Sequence, residues 1–487
     1  MVEDYSPGVV CPFAARCGYL LAGNGRSAPV DRHDRIPAPT LSPVSEPSMM
    51  PKTCAALLLY ASTSFAAAAD QVPDWNNETL TGDWHGARTA LYRQGANLEA
   101  SYKLDLVRNA AGGLAAGTRV QGMLEVKLKL DGDKLIGWPD SSAYLHLLGN
   151  LGGKPNASLV GSFMGINNAE VAVNSVKLFH AWVQKAFWNN KASVLAGLYP
   201  IDSEFYVTDA SAVFLHPALG IGAEVAASGP HGPSIFPTSA LGLRLRVQPD
   251  PTLYAQIAVT DGVPGDPADP RGTHIRLQPG DGVMLIAEFG YRPGEAHHVD
   301  EPIGPEKYIP ATPQRKREET LEPIDKFALG FYRYNPKADD LTDTDPVTGA
   351  PLRHTAYGAY VLAEHTLYYE ADAPTQGLAA FVRYGRTDGN VSPLNYAFSA
   401  GCIYTGLLPG RDDDVFGLAL IRARAAEKFR QFNAPLEESE VAVELTYRAR
   451  MTPWLAVQPT LQHVIHPGFD PTLGNAWIAT LRIEVAL

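Results

Sequence analysis

Four cysteines occur in 487 residues, and three of them (Cys11, Cys17, Cys54) precede residue 55, so Cys402 stands alone in the rest of the chain. One thiol cannot build an internal disulfide framework, and stability must come from hydrogen-bonded sheet or packing. A basic excess is also missing. The 40 Lys and Arg against 52 Asp and Glu leave a net charge of −12, and without a basic stripe to neutralise phosphates the chain is not expected to bind nucleic acid. No apolar run approaches the length of a membrane-spanning helix, but a β-barrel crosses with strands of about ten residues that hydropathy barely registers. Catalytic signatures are lacking as well: there is no nucleophile elbow and no phosphate-binding glycine loop. His463 and His466 are three apart on an expected strand and point to opposite faces, so they share no metal. His297 and His298 have no nearby ligand set. The expectation is a protein that is not an enzyme, with no cofactor and no metal.

What is present begins with a leader. Residues 49–69, MMPKTCAALLLYASTSFAAAA, combine Lys52, an apolar stretch over 55–61 and small residues at 66–69. That is the layout of a secretory signal peptide. Residues 1–48 are rich in Pro, Ser and Arg without periodicity, and read as a wrongly assigned start or a disordered extension, translation beginning at Met49 or Met50. Removing 1–69 takes five acidic and five basic residues, so the mature charge stays −12. Residues 70–95 form an N-terminal segment with one helical signal, Asp83 to Gln94, capped by Asp83 and ended by Gly95.

From residue 96 the period is two. Leu98, Ala100, Tyr102, Leu104 and Leu106 alternate with Asn97, Glu99, Ser101, Lys103 and Asp105; Val120, Gly122, Leu124, Val126 and Leu128 alternate with Arg119, Gln121, Glu125, Lys127 and Lys129. Such runs exceed the usual five or six residues of a soluble strand and match a tilted bilayer crossing. One wet face and one apolar face suit a membrane barrel, whose apolar residues meet lipid while charged ones line a lumen. Sixteen segments of this type are expected: 96–109, 118–131, 142–150, 176–186, 191–199, 239–248, 253–260, 282–291, 327–334, 354–369, 377–385, 395–407, 414–423, 439–450, 454–464 and 475–487. An even number allows antiparallel closure, which leaves no unpaired edge in hydrocarbon. Gaps after even-numbered segments are mostly short (187–190, 249–252, 370–376, 408–413, 451–453), and those after odd-numbered ones mostly long (151–175, 200–238, 261–281, 335–353, 424–438, 465–474). Residues 292–326 break this rule as a long insertion on the short-turn side.

Several stretches stand out together: Leu80-Thr81-Gly82-Asp83-Trp84-His85-Gly86-Ala87-Arg88, Ala196-Gly197-Leu198-Tyr199 running into Ser203-Glu204-Phe205-Tyr206-Val207-Thr208-Asp209, and Gly229-Pro230 through Pro237. With them go the turn Gly406-Leu407-Leu408-Pro409-Gly410-Arg411, Leu445-Thr446-Tyr447 through Gln458-Pro459, and Val464-Ile465-His466-Pro467-Gly468. In this order they resemble one family, the carbohydrate-selective porins (OprB family) of Gram-negative outer membranes. The resemblance implies a sixteen-stranded transmembrane antiparallel β-barrel with a short N-terminal helix. It implies passive flow of sugars such as glucose into the periplasm, and as partners sugars, outer-membrane lipid and the barrel-assembly machinery, with homo-oligomers allowed. Two departures stand out: the chain ends in Leu487 where such barrels usually end in an aromatic residue, and the 292–326 insertion is long.

A neutral sugar needs hydrogen-bonding groups on all sides and an apolar face to stack against, and porins build a constriction by folding a loop into the lumen. Of the two longest extracellular candidates, 151–175 and 200–238, the resemblance makes the second the in-folded one; it carries Asp202, Glu204, Tyr206 and Asp209. Wall candidates are Arg244 and Arg246, His180 and Trp182 opposite Phe179, Ala181 and Val183, and Arg119 with Glu125 on the second strand. The expectation is that loop acids and wall arginines clasp sugar hydroxyls while Trp182 stacks. Simple lining of a hydrated lumen, or a place for Trp182 in an aromatic girdle, is the plainer alternative. Other functions left open are a porin for small solutes such as organic acids, and a surface barrel acting as adhesin or lectin, against which the charge on the strands argues.

Overall fold

The computed structural model describes residues 72–293 and 324–487. The proposed signal peptide and extension, and most of the 292–326 insertion, lie outside the described residues. Sixteen strands form one antiparallel sheet that closes when the first pairs with the last. They are β1 Ala96–Gly113, β2 Gly117–Asp131, β3 Ser141–Gly152, β4 Ser175–Phe187, β5 Ala192–Tyr199, β6 Ala240–Asp250, β7 Leu253–Asp261 and β8 Val283–Tyr291. Then follow β9 Lys326–Thr344, β10 Pro351–Glu370, β11 Ala373–Thr387, β12 Leu394–Thr405, β13 Val415–Ala425, β14 Ser439–Thr452, β15 Leu455–Ile465 and β16 Gly474–Ala486. Each strand pairs with its sequence neighbours, so backbone groups find partners without a free edge.

Alternation decides the two faces. Leu104, Leu106, Leu243, Leu245, Phe331, Val361, Leu418 and Leu481 are exposed on the outside, while Asp105, Glu125, Arg244, Arg246, Gln256, Glu288, Glu444 and Arg482 are buried inside. Tyrosines also line the inner wall, and glycines on the adjoining strand make room for them. Tyr254 pairs with Gly290 and Tyr360 with Gly330. A Cβ on either glycine would lie 2.1 or 2.0 Å from the facing ring, so the rings can lie against the wall only over glycine.

Four sequence expectations change. The helix begins at Ala87 and ends at Arg93 rather than spanning 83–94. A 3-10 turn at Trp84–Gly86, with His85 at φ 56°, precedes it, and Asp83 caps one turn later than expected by accepting from the Thr89 amide and hydroxyl. The segment 335–353 is not a long loop: β9 and β10 continue through most of it as a paired hairpin, turning at 345–350. Likewise β1 runs to Gly113. Phe179 does not sit opposite His180, because a bulge between β3 and β4 lets both rings point inward, 4.7 Å apart.

The N-terminal segment packs at the short-turn end. The Leu80 amide donates to the Ala486 carbonyl, and buried Arg88 donates to Leu98 O and Thr79 Oγ1 while lying 4.3 Å from the Trp75 ring centroid. The two-faced wall carries a prediction. Leu245→Arg places a cation on the outer face and should cost about 2–4 kcal/mol if it lies near the bilayer midplane. The urea midpoint of the barrel refolded in lipid vesicles measures it.

Candidate functional site

Two loops, not one, enter the barrel. Residues 200–239, between β5 and β6, reach across it, and the inner wall holds them group by group. Glu288 accepts from the Tyr206 amide at 3.0 Å, Lys326 donates to Val207 O at 2.7 Å, and Glu364 accepts from the Ala210 amide at 3.0 Å. On the far wall Gln458 donates to Val213 O, and Glu444 accepts from the Leu215 and His216 amides at 2.7 and 2.8 Å. Arg383 then donates to Leu219 O and Ala218 O at 2.7 and 2.6 Å. The second loop, 153–174 between β3 and β4, is gripped by Glu440, which accepts from Ser162 Oγ and the amides of Phe163 and Met164. The Asn168 amide donates to Leu215 O, joining the loops. Buried carboxylates that accept from loop amides are charge-assisted clamps, stronger than neutral hydrogen bonds.

The expected site residues fall into this frame unevenly. Arg244 and Glu204 do meet, in a bidentate pair of 2.9 and 2.9 Å with both side chains fully buried. Arg244 also donates to Ser193 Oγ and Gln184 Oε1, and Glu204 accepts from the Tyr199 hydroxyl. The pair therefore pins the root of the loop to the wall. Asp202 accepts from the Phe236 amide within the same loop, and burial pushes its carboxyl up to about 6. Tyr206, in the left-handed region at φ 65°, has its ring 4.2 Å from Tyr360 and 4.8 Å from the Arg383 guanidinium. Trp182 faces inward but is only 3% exposed, tilted against Tyr144 at 5.4 Å, so the indole is covered and lies outside any girdle. His180 stacks on His146 at 5.3 Å beside it.

Of the four loop candidates Asp209 alone has an exposed side chain. Arg246 lies 4.4 Å over the Tyr254 ring and donates to Gln256 Oε1 at 3.0 Å. Glu125 joins a wall cluster with Lys103 at 2.8 Å, Lys127 at 3.2 Å and His146 at 3.4 Å. Arg119 is not brought to the others; it is exposed near the loop end of β2, donating to the Thr118 carbonyl.

Sequence reading missed the clamps themselves, Glu288, Glu364, Arg383, Glu440 and Glu444. Their one signal was acid or arginine on the inner parity of a strand, which many lumen residues share. It also missed Arg448 and Glu484, 2.8 Å apart and part-exposed, which extend the charged inner wall next to Lys103 and Glu125.

Glu224 is a further acid of the loop, and it is fully buried. It lies in the short helix Ala223–Ala226 with its carboxyl against Gly385 and Gly222. Burial pushes it up to about 7, with the neighbouring Tyr206 hydroxyl and Arg383 pulling the other way. Between the ordinary carboxylate range and about 7 the folded protein holds a proton the unfolded chain has released, so this contribution to stability is fully present at acid pH and lost as pH rises through about 7. Channel noise and thermal denaturation recorded from pH 5 to 8 should show the loop loosening toward pH 8, and Glu224→Gln should flatten that dependence. A separate outcome concerns the root pair. Arg244→Gln leaves a buried carboxylate without its cation, costing about 3–5 kcal/mol of anchoring, and single-channel recordings should show larger, noisier openings.

Comparison with known proteins agrees with this architecture. The family described as carbohydrate-selective porin, OprB family, matches residues 115–487. Porin B of Pseudomonas aeruginosa is 23% identical over 462 residues, covering 86% of this chain and 93% of that protein. The high-pH structure of Pseudomonas putida OprB superposes with a TM-score of 0.70 at 20% identity, covering 85% of this chain and 99% of that one. The low-pH structure of the same protein gives 0.52 at 15% identity over 85% and 99%. A match that runs from the turn between β1 and β2 to the last residue, in a chain that closes a sixteen-stranded barrel with charged inner walls, makes this chain a member of the OprB family of carbohydrate-selective porins.

Proposed function

We propose that the barrel passes neutral monosaccharides such as glucose passively into the periplasm, through an opening narrowed by the 200–239 loop. Family membership implies an outer-membrane channel with carbohydrate selectivity; the particular sugar and the direction are this reading's own. The observation that carries it is the crossing of the lumen by a loop clamped on opposite walls, with Asp209 exposed on it and Lys103, Glu125, Arg448 and Glu484 on the wall. Charged groups bonded into pairs leave donors and acceptors for hydroxyls while presenting little uncompensated field, which suits a neutral polyol better than an ion. Asp209 supplies acceptors from the loop side, Glu204, Arg244, Asp202 and Tyr206 hold the loop in place, and His180 and Trp182 pack with Tyr144 and His146 on the wall beside it. Arg246 lines the inner wall behind the loop, and Arg119 stands near the outer rim as an entry charge.

Liposome swelling with glucose, a disaccharide and an organic anion tests the reading. Glucose should enter fastest and the anion no faster than the disaccharide. Equal entry of the anion would favour an organic-acid channel, and no swelling with any solute would leave an adhesin or lectin. In planar bilayers Asp209→Asn should weaken glucose block of the current, whereas Arg119→Gln should leave it unchanged.

A further inference from the structure

The outside of the barrel carries unexpected charge. On β9 to β13 the outward side chains Leu329, Phe331, Val361, Val382, Leu418 and Leu420 are exposed, as a surface in hydrocarbon requires. Toward the long-loop end this band stops at arginines alternating with tyrosines. Arg333 on β9 stands opposite Tyr357 on β10, and Ala359, the next outward residue of β10, stands opposite Arg386 on β11. Arg386 stands opposite Tyr396 on β12, and Tyr396 opposite Arg424 on β13. Tyr384, one outward step below Arg386, lies 5.6 Å from Tyr396, ring to ring.

Arg424 pairs with Glu438, and Arg422 beneath it donates to Ser439 Oγ at 2.9 Å. Arg333 and Arg386 are exposed, and neither has a hydrogen bond or ion pair to another described residue. Strands about 4.8 Å apart put the span from β9 to β13 at about 19 Å, within reach of a single large headgroup for flexible arginine side chains. A guanidinium at the edge of hydrocarbon is costly unless an anion meets it. Tyrosine marks the headgroup level of a bilayer.

We infer that the Arg333–Tyr357–Arg386–Tyr396–Arg424 row binds the phosphorylated headgroup of an outer-leaflet lipid. Arg333 and Arg386 form the fork-like contacts to phosphate that guanidinium favours over ammonium, and the acyl chains lie on the apolar band below. The inference rests on the outer-membrane location that family membership implies and is independent of which solute the channel passes.

Native mass spectrometry of the purified full barrel in detergent, with diphosphoryl lipid A and with its dephosphorylated form, tests it. The double variant Arg333→Gln, Arg386→Gln should bind the phosphorylated lipid at least about tenfold more weakly, as expected for losing two charge-assisted contacts. The dephosphorylated lipid should bind the unaltered protein equally poorly. Arg108→Gln, an outward basic residue on β1, should behave as the unaltered protein. Retained binding by the double variant, equal binding of the two lipids, or a loss seen instead in Arg108→Gln would overturn the assignment. So would a change in protomer association with lipid binding intact, which would make the row a contact between barrels. Glucose-driven swelling should be the same in all three proteins and reports that the variants are folded; its absence from every one would defeat the sugar reading and leave the lipid result standing.

Discussion

Hydrocarbon contains no water, and every backbone amide and carbonyl that enters it must find a partner within the protein. Pairing of Ser101 through Gly113 with the last strand meets that demand, because it removes the one edge an open sheet would expose. The remaining features follow from closure. An enclosed wall has an inside, period-two alternation sends every second side chain there, and those residues need not meet lipid. Charge can then accumulate on the inner face at a density that no outward surface in the bilayer would tolerate.

That inner charge is used chiefly on the protein itself. A lumen wide enough for a sixteen-stranded barrel would be an unselective hole, and the structure fills it with two loops instead of bulkier wall residues. Loops carry backbone donors and acceptors that must be satisfied when buried. Glu288, Glu364, Glu440 and Glu444 accept from their amides, and Arg383, Lys326 and Gln458 donate to their carbonyls. The wall thus functions as a template that turns flexible connections into a defined constriction. Residues that look like ligand contacts in one dimension, Arg244 and Glu204 above all, are engaged with each other and hold the loop against the wall.

The same separation of faces explains the outer surface. Outward positions are apolar, Phe331 included, where they meet acyl chains, exposed tyrosines and phenylalanines such as Tyr291, Phe327 and Tyr368 stand at the short-turn end, and the alternation of arginine with tyrosine stands toward the loop end. Inner and outer arginines therefore answer different surroundings. Arg244 and Arg482 meet carboxylates at hydrogen-bonding distance within the barrel, while Arg333 and Arg386 look outward.

Period and spacing by themselves determined the number of strands, their antiparallel order, the side of most strand residues and the loops on the longer end, because these depend on local alternation and on the backbone's need for partners. Strand ends were read less well. The β9–β10 hairpin rises past the apolar band, where alternation fades but pairing continues, and the β3–β4 bulge turned Phe179 inward against its parity. Only the tertiary structure decided that both the 153–174 and 200–239 loops fold in, that Trp182 is covered, and that Glu440 lies against Ser162, 278 residues away in sequence. Alternation names the side of a wall on which a charge lies, but the partner it meets there is set by how chain from distant strands crosses the enclosed space, and no local pattern carries that information.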